Sequence, residues 1–151
     1  ELKLKPWLEK IIEQYKDQGE SYQRLVFVSD DDDALARFDA SQLEQVMTNL
    51  IGNALYHGAK TDPSSRVEIR LSTKQESGQS MIEVLDAGYG ISKENQKHLF
   101  EPFFTTENSG TGLGLYISRE LCEANQANLN YIPREVGSCF RVTFAHHKRI
   151  V

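Results

Sequence analysis

The sequence predicts an α+β fold, a two-layer α/β sandwich in which about three helices cover one face of a mixed, mostly antiparallel sheet. In several segments apolar residues recur at steps of three and four, which indicates amphipathic helices. In other segments apolar and polar residues alternate, which indicates half-buried strands. A length of 151 residues is typical of one hydrophobic core, so residues 1–151 are predicted to form a single domain.

The first part of the chain predicts a helix, two strands and then a longer helix. The first helix is expected over residues 4–15, where the apolar side chains follow helical spacing. Residues 24–29 are strand-like, and residues 35–38 are expected to return as a short strand. The longer helix is expected over residues 41–57, with Asp39 or Ser41 as its N-cap and Gly58 as its stop.

The second part predicts more strands around a long connection, residues 87–111, that is rich in glycine and turn residues. A connection this long within one domain is usually functional or mobile. The remaining predicted elements are antiparallel strands at 67–71 and 81–86, a short helix at 93–99, a helix at 113–124, and strands at 128–132 and 139–145.

The composition excludes several function classes. The net charge is −5, and Lys148 and Arg149 are too few to form a basic patch, so no nucleic-acid partner is expected. No apolar run approaches the roughly 20 residues of a membrane span, so no direct membrane contact by this domain is expected. The two cysteines, Cys122 and Cys139, are expected to be buried, reduced thiols of a cytoplasmic domain. Because the chain starts at Glu1, it is expected to be a fragment of a protein that can be anchored in a membrane.

Two asparagines on the longer predicted helix form the first candidate cluster. Asn49 and Asn53 are four residues apart, so their amides share one face of the helix. A neutral amide oxygen is a suitable ligand for a hard divalent cation. The alternative is that both amides only cap neighbouring backbone groups.

The second cluster, residues 86–91 (DAGYGI), follows a predicted strand. Asp86 can accept a hydrogen bond from an amine such as the N6 amine of adenine. Gly88 and Gly90 allow backbone to approach a flat ring without a Cβ clash. On its own, this pattern is often a plain turn.

The third cluster, residues 110–115 (GTGLGL), opens a predicted helix. Glycine-rich backbone before a helix N-terminus offers free N–H groups and a positive dipole end to phosphate. The segment is neither a Walker A loop, since no Gly-Lys-Ser/Thr follows, nor a Rossmann fingerprint, since no strand precedes it. Taken alone it is a weak signal.

In this order the clusters resemble the Bergerat-type ATP-binding fold shared by sensor histidine kinases, gyrase-type topoisomerases, Hsp90-type chaperones and MutL-type repair proteins. The kinase branch matches best, over nearly the whole chain. Its sequence boxes are seen at residues 45–54 (QVMTNLIGNA), 86–90 (DAGYG), 100–106 (FEPFFTT) and 110–115 (GTGLGL). The details of residues 104–127 look closest to the sensor kinases that control type IV pilus genes.

The resemblance implies that the cofactors are ATP and Mg²⁺. Asn53 would coordinate Mg²⁺ that bridges the ATP phosphates, with Asn49 beside it as the second catalytic residue. Asp86 would take the adenine amine, and Ser138 would add a water-mediated contact. The other implied nucleotide-binding residues are Tyr56, His57, Gly88, Gly90, Ile91, Thr105, Thr106, Gly110, Thr111, Gly112, Leu113 and Gly114. Two positions depart from the kinase pattern: Tyr56 stands where Lys or Arg is common, and Glu107 stands where the lid often carries Lys.

The resemblance also implies that ATP is held for transfer rather than for hydrolysis. The hydrolysing branches have a Glu where Asn49 stands, and an amide cannot take a proton from water. Kinases of this family phosphorylate a His followed by an acid, but the four His of this chain are followed by Gly58, Leu99, His147 and Lys148. The expected partners are therefore a separate dimerisation and phosphoacceptor domain and a response regulator, and the isolated fragment is expected to be monomeric. The alternatives are a degenerate interaction module with this fold and an anti-sigma-type serine kinase.

Overall fold

The structure is a computed structural model that describes residues 1–105 and 112–146. The helices are α1 (Leu4–Lys16), α2 (Ala40–Ala59), α3 (Lys93–Gln96) and α4 (Gly114–Ala124), with a 3-10 helix at Glu20–Arg24. The strands are β1 (Leu2–Lys3), β2 (Leu25–Ser29), β3 (Leu35–Ala36), β4 (Val67–Thr73), β5 (Ser80–Asp86), β6 (Asn128–Pro133) and β7 (Ser138–Thr143).

The main sheet has five strands in the order β2-β4-β5-β7-β6. The pair β2–β4 is parallel, and the three other pairs are antiparallel. One cross-strand row runs from Ile69 through Val84 and Phe140 to Tyr131. This sheet confirms the predicted α+β class with mixed, mostly antiparallel pairing.

The core lies between the sheet and helices α1, α2 and α4. The predicted stripe of α1 is buried at every position, as is that of α2 from Leu43 to Ala54. On α4, however, the fully buried residues include Ser118 beside Cys122, whereas the apolar Leu115 is only partly buried. The reason lies in a hydrogen bond from α2, because the Ser118 hydroxyl accepts from the side chain of Asn49. Cys122 and Cys139 are buried free thiols, as predicted, and burial raises the pKa of each to about 12.

Two local predictions differ from the structure. The returning strand at residues 35–38 is only Leu35–Ala36, and it pairs with β1 in a separate two-stranded sheet rather than with β2. A two-residue strand carries too little periodicity to identify its partner. Helix α2 also continues past Gly58 to Ala59. In its last turn, the carbonyl oxygen of Gly58 accepts hydrogen bonds of 3.0 Å from the hydroxyl groups of Thr61 and Ser65.

The predicted short helix at 93–99 is confined to Lys93–Gln96. Part of the long connection, residues 106–111, lies outside the described residues. Of the helices described, none is long and apolar enough to cross a membrane.

Candidate functional site

A cleft of about 480 Å³ lies between α2, the end of β5 and the start of α4. Most of the predicted binding residues line it: Asn49, Asn53, Tyr56, His57, Asp86, Gly90, Ile91, Thr105, Gly112, Gly114 and Ser138. Gly88 and Leu113 are not among the lining residues, although each adjoins one. Thr106, Gly110 and Thr111 lie outside the described residues. The fold thus brings together residues from all three sequence clusters.

The sheet end of the cleft is formed by Asp86, Gly90, Ile91 and Ser138. Asp86 is the last residue of β5 and is only 3% exposed. Its carboxylate accepts a hydrogen bond of 2.8 Å from the backbone N–H of Gly88. Burial raises the pKa of this carboxyl group, and the N–H groups of Gly88 and Ser138 and the nearby His57 partly offset that rise. A buried carboxylate in a cleft can select a ligand that carries an N–H donor.

The end of β5 is held in place by backbone from the hairpin between β6 and β7. A Cβ atom at Gly137 would lie 1.9 Å from the carbonyl oxygen of Asp86, and Gly137 has a φ of +78°. The guanidinium of Arg134 donates to that same carbonyl oxygen at 3.1 Å. On the other side, a Cβ atom at Gly88 would lie 2.8 Å from the carbonyl oxygen of His57. These approaches require glycine, so the sheet end is set by backbone geometry.

The helix end of the cleft is formed by Asn49, Asn53, Gly112 and Gly114. The amide nitrogen of Asn49 donates to the carbonyl oxygen of Gly114 at 3.3 Å and to Ser118 at 3.1 Å, which ties α2 to the first turn of α4. Helix α4 starts at Gly114, and the side chain of its N-cap residue, Leu113, makes no capping hydrogen bond to the first N–H groups. A helix N-terminus at a cleft is a favourable position for an anion.

At the helix end of the cleft, the backbone of Gly112 packs closely against the backbone of Phe103. Gly112 has a φ of +76°, and a Cβ atom there would lie 2.3 Å from the carbonyl carbon of Phe103. The backbone N–H of Phe103 donates to the carbonyl oxygen of Gly112 at 2.9 Å. Phe103 itself has a φ of +67° and is exposed, while its neighbour Phe104 lines the cleft. The backbones of Phe103 and Gly112 therefore contact each other directly.

Sequence reasoning missed several polar lining residues. Lys60 and Asn95 line the cleft, as does Ser92 at the N-terminus of α3. Lys60 lies seven residues after Asn53, so helical spacing could have found it. Asn95 and Ser92 lie in the long connection, where no periodicity marks the side chains that turn inward.

The candidate metal ligands at the helix end of the cleft are amide groups. Among residues 1–105 and 112–146, no three His, Cys, Asp or Glu side chains are grouped to hold a metal ion. Asn53 offers a hard oxygen ligand, which suits Mg²⁺ when a ligand's phosphates supply further oxygens. The donor set fits a metal ion shared with a polyphosphate.

Comparison with known proteins places the chain in a family. Residues 38–148 match the family described as histidine kinase-, DNA gyrase B- and HSP90-like ATPases. The chain belongs to this family. Membership implies that it binds ATP, and the predicted resemblance is confirmed.

The curated relatives are kinases. The chain is 42% identical to the sensor protein kinase PilS of Pseudomonas aeruginosa, over 99% of this chain and 28% of that protein. It is 39% identical to the signal transduction histidine-protein kinase AtoS of Escherichia coli, over 70% of this chain and 17% of that protein. The chain therefore spans less than a third of the length of these relatives. Among solved structures, the catalytic domain of the histidine kinase ThkA is similar in fold, with a TM-score of 0.80, 24% identity and coverage of 96% of this chain and 93% of that one.

Proposed function

We propose that this chain is the catalytic, ATP-binding domain of a two-component sensor histidine kinase. It binds Mg-ATP and transfers the γ-phosphoryl group to a His on a separate dimerisation domain, from which a response regulator takes it. One observation supports this most: a single cleft joins a buried carboxylate at its sheet end to two amides and the N-terminus of α4 at its helix end. The named relatives, which are sensor and signal-transduction kinases, support the same function.

The sheet end is proposed to bind adenine. Asp86 accepts a hydrogen bond from the N6 amine, and its burial makes this bond costly to lose. The backbone at Gly90 and the side chain of Ile91 lie beside the ring, and Ser138 holds a water on the other side. Burial of the carboxylate excludes ligands that present an acceptor at this place, which would leave Asp86 unpaired.

The helix end is proposed to bind the phosphates. The backbone N–H groups at Gly112 and Gly114 and the dipole of α4 favour the negative charge. Asn53 is the proposed Mg²⁺ ligand, and Mg²⁺, when bound, neutralises charge on the phosphates. Thr106, Gly110 and Thr111, which lie outside the described residues, remain proposed phosphate contacts.

The side chains of the cleft favour transfer over hydrolysis. Among the described lining residues, the one carboxylate is Asp86, at the end of the cleft opposite to the proposed phosphates. At the helix end, Asn49 offers a neutral amide, which is not basic enough to take a proton from water. Its nitrogen donates hydrogen bonds to Gly114 and Ser118 on α4. In-line transfer then depends on positioning and charge neutralisation.

The whole-protein context is proposed from the relatives. A sensor kinase of a two-component system works with a response regulator, so such a regulator is the proposed downstream partner. The intact protein is proposed to be anchored in the bacterial inner membrane, with this domain on the cytoplasmic side.

The test is a phosphotransfer assay with radiolabelled ATP and the phosphoacceptor domain of the intact protein. The expected product is a phosphohistidine on that domain, which is stable to base and labile to acid, with no label on this chain. Binding of the acceptor domain without any label would support a degenerate interaction module instead. An acid-stable phosphoserine on the target would show an anti-sigma-type serine kinase.

A further inference from the structure

The geometry points to Lys60 as the cation that pairs with the phosphate chain of the bound nucleotide, guided there by the ring of Tyr56. This assignment deepens the proposed function and rests on it. Of the described residues that line the cleft, Lys60 is the one Lys or Arg. The ligand brings several negative charges into a domain with a net charge of −5, so a cation inside the cleft offsets an unfavourable field.

The position of Lys60 follows from helix geometry. It is the C-cap residue of α2, directly after Ala59. Lys60 follows Asn53 by seven positions, so the two lie on nearly the same face of α2, about two turns apart. The backbone of Lys60 therefore lies nearer the C-terminus of α2 than Asn53, the proposed metal ligand. Lys60 also lines the cleft that is proposed to hold the nucleotide.

The side chain of Lys60 runs back along α2 by about one turn, to the ring of Tyr56. Its ammonium nitrogen lies 4.9 Å from the centroid of the Tyr56 ring. Tyr56 is one turn earlier on α2, lines the cleft and is 47% exposed. A cation over the face of a tyrosine ring is attracted by the ring's electron density, which favours this direction over an extended one into solvent. Tyr56 thus acts as a positioning residue, through Lys60.

The size of the effect is limited by solvent. The cleft opens to water, so salt and solvent screen the ammonium–phosphate attraction. A charge-assisted contact of this kind is worth a factor of about 5 to 10 in affinity. Adenosine carries no phosphate, so its affinity is independent of this charge.

The experiment measures dissociation constants of adenosine, ADP and ATP for the chain and its variants by calorimetry. For Lys60→Ala we expect ADP and ATP to bind about 5- to 10-fold more weakly, with adenosine unchanged within twofold. Lys60→Arg should bind ATP nearly as the parent does, because it retains the charge. Lys10→Ala, which removes the same charge from an exposed position on α1, is the matched control.

Two further readouts separate charge from shape. The affinity of the parent for ATP should fall more steeply with salt than that of Lys60→Gln, which keeps a long polar side chain without the charge. Tyr56→Leu should weaken ATP binding about twofold to threefold by removing the ring, and Tyr56→Phe, which keeps the ring, should lose less ATP affinity than Tyr56→Leu.

Several results would overturn the assignment. Equal losses for adenosine and ATP in Lys60→Ala would show a structural role, and losses no larger than in Lys10→Ala would show that Lys60 does not contact phosphate. A parent chain that binds no ATP overturns the proposed function as well. A parent that binds ATP while Lys60→Ala is unchanged overturns this assignment alone.

Discussion

The two ends of the cleft are built in different ways. At the sheet end, Asp86 pairs in register with Ser138, and Gly137 brings the hairpin backbone against the Asp86 carbonyl group. At the helix end, the polar groups are the side chains of Asn49 and Asn53 and the first turn of α4. The sheet end therefore offers a ligand fixed backbone and one buried carboxylate. At the helix end, Asn53 can change without disturbing the core, whereas Asn49 also hydrogen-bonds the buried Ser118.

The difference also gives the ligand a direction. The carboxylate of Asp86 disfavours phosphate at the sheet end, whereas the N-terminus of α4 favours it at the helix end. A nucleotide placed with its base at the sheet end satisfies both. Substitutions at the sheet end should thus cost folding or base recognition, and substitutions at the helix end should cost phosphate or metal binding.

The largest effect is expected for Gly137→Ala. The added methyl group would overlap the carbonyl oxygen of Asp86, and a φ of +78° strains any L side chain. We expect the free energy of unfolding, measured with urea, to fall by about 3 kcal/mol or more. Gly19→Ala is the control, because Gly19 is extended and a Cβ atom there meets no atom within 4 Å.

Gly112→Ala tests whether the helix end is more tolerant. Its methyl group would also overlap backbone, at Phe103, but that contact joins two segments outside the sheet that can separate without opening the core. We expect a loss of about 1–2 kcal/mol, smaller than for Gly137→Ala. Equal losses in the two variants would break the comparison.

The next effect is expected for Asp86→Asn. The variant loses the charge that strengthens the hydrogen bond to the adenine amine, so adenosine and ATP should both bind about 30-fold more weakly. Titration calorimetry measures both affinities. Binding as tight as that of the parent would exclude Asp86 as the adenine contact.

The raised pKa of Asp86 gives this prediction a pH dependence. Because burial raises the pKa above its usual 3.8, the carboxylate takes up a proton at a higher pH than an exposed Asp does. Adenosine affinity of the parent should therefore fall as the pH drops through that raised value, and Asp86→Asn should lack this fall. Folding stability depends on pH in the opposite direction. The stabilising contribution of Asp86 is fully present below pH 3.8, its ordinary pKa, and is lost as the pH rises through the raised pKa.

The smallest of these effects is expected for Asn53→Ala at the helix end. Half-buried at the cleft, Asn53 is not part of the core, so the free energy of unfolding should change by no more than about 0.5 kcal/mol. ATP affinity in the presence of Mg²⁺ should fall about 10-fold, with adenosine unaffected. If Asn53→Ala shows the same difference between its ATP affinities with and without Mg²⁺ as the parent does, Asn53 is excluded as the metal ligand.

Much of this molecule could be predicted from local pattern. The spacing of apolar residues located α1, α2 and α4, and the alternation at residues 67–71 located β4, because both periods are properties of a single element. The burial of Ser118 could not be predicted in this way, since its partner, Asn49, is 69 residues away. The same holds for the pairing of β1 with β3 and for the contact of Arg134 with Asp86.

The sequence by itself determined the family and the order of the three clusters, because motif residues and helix or strand periods are local. Only the tertiary structure decided that Asp86 is buried at one end of a cleft whose other end is the N-terminus of α4. That arrangement depends on β5 pairing with β7 and on α2 packing against α4. The burial of Asp86 and its hydrogen-bond partners depend on segments distant in sequence. Burial and hydrogen bonding in turn determine the pKa of this carboxyl group.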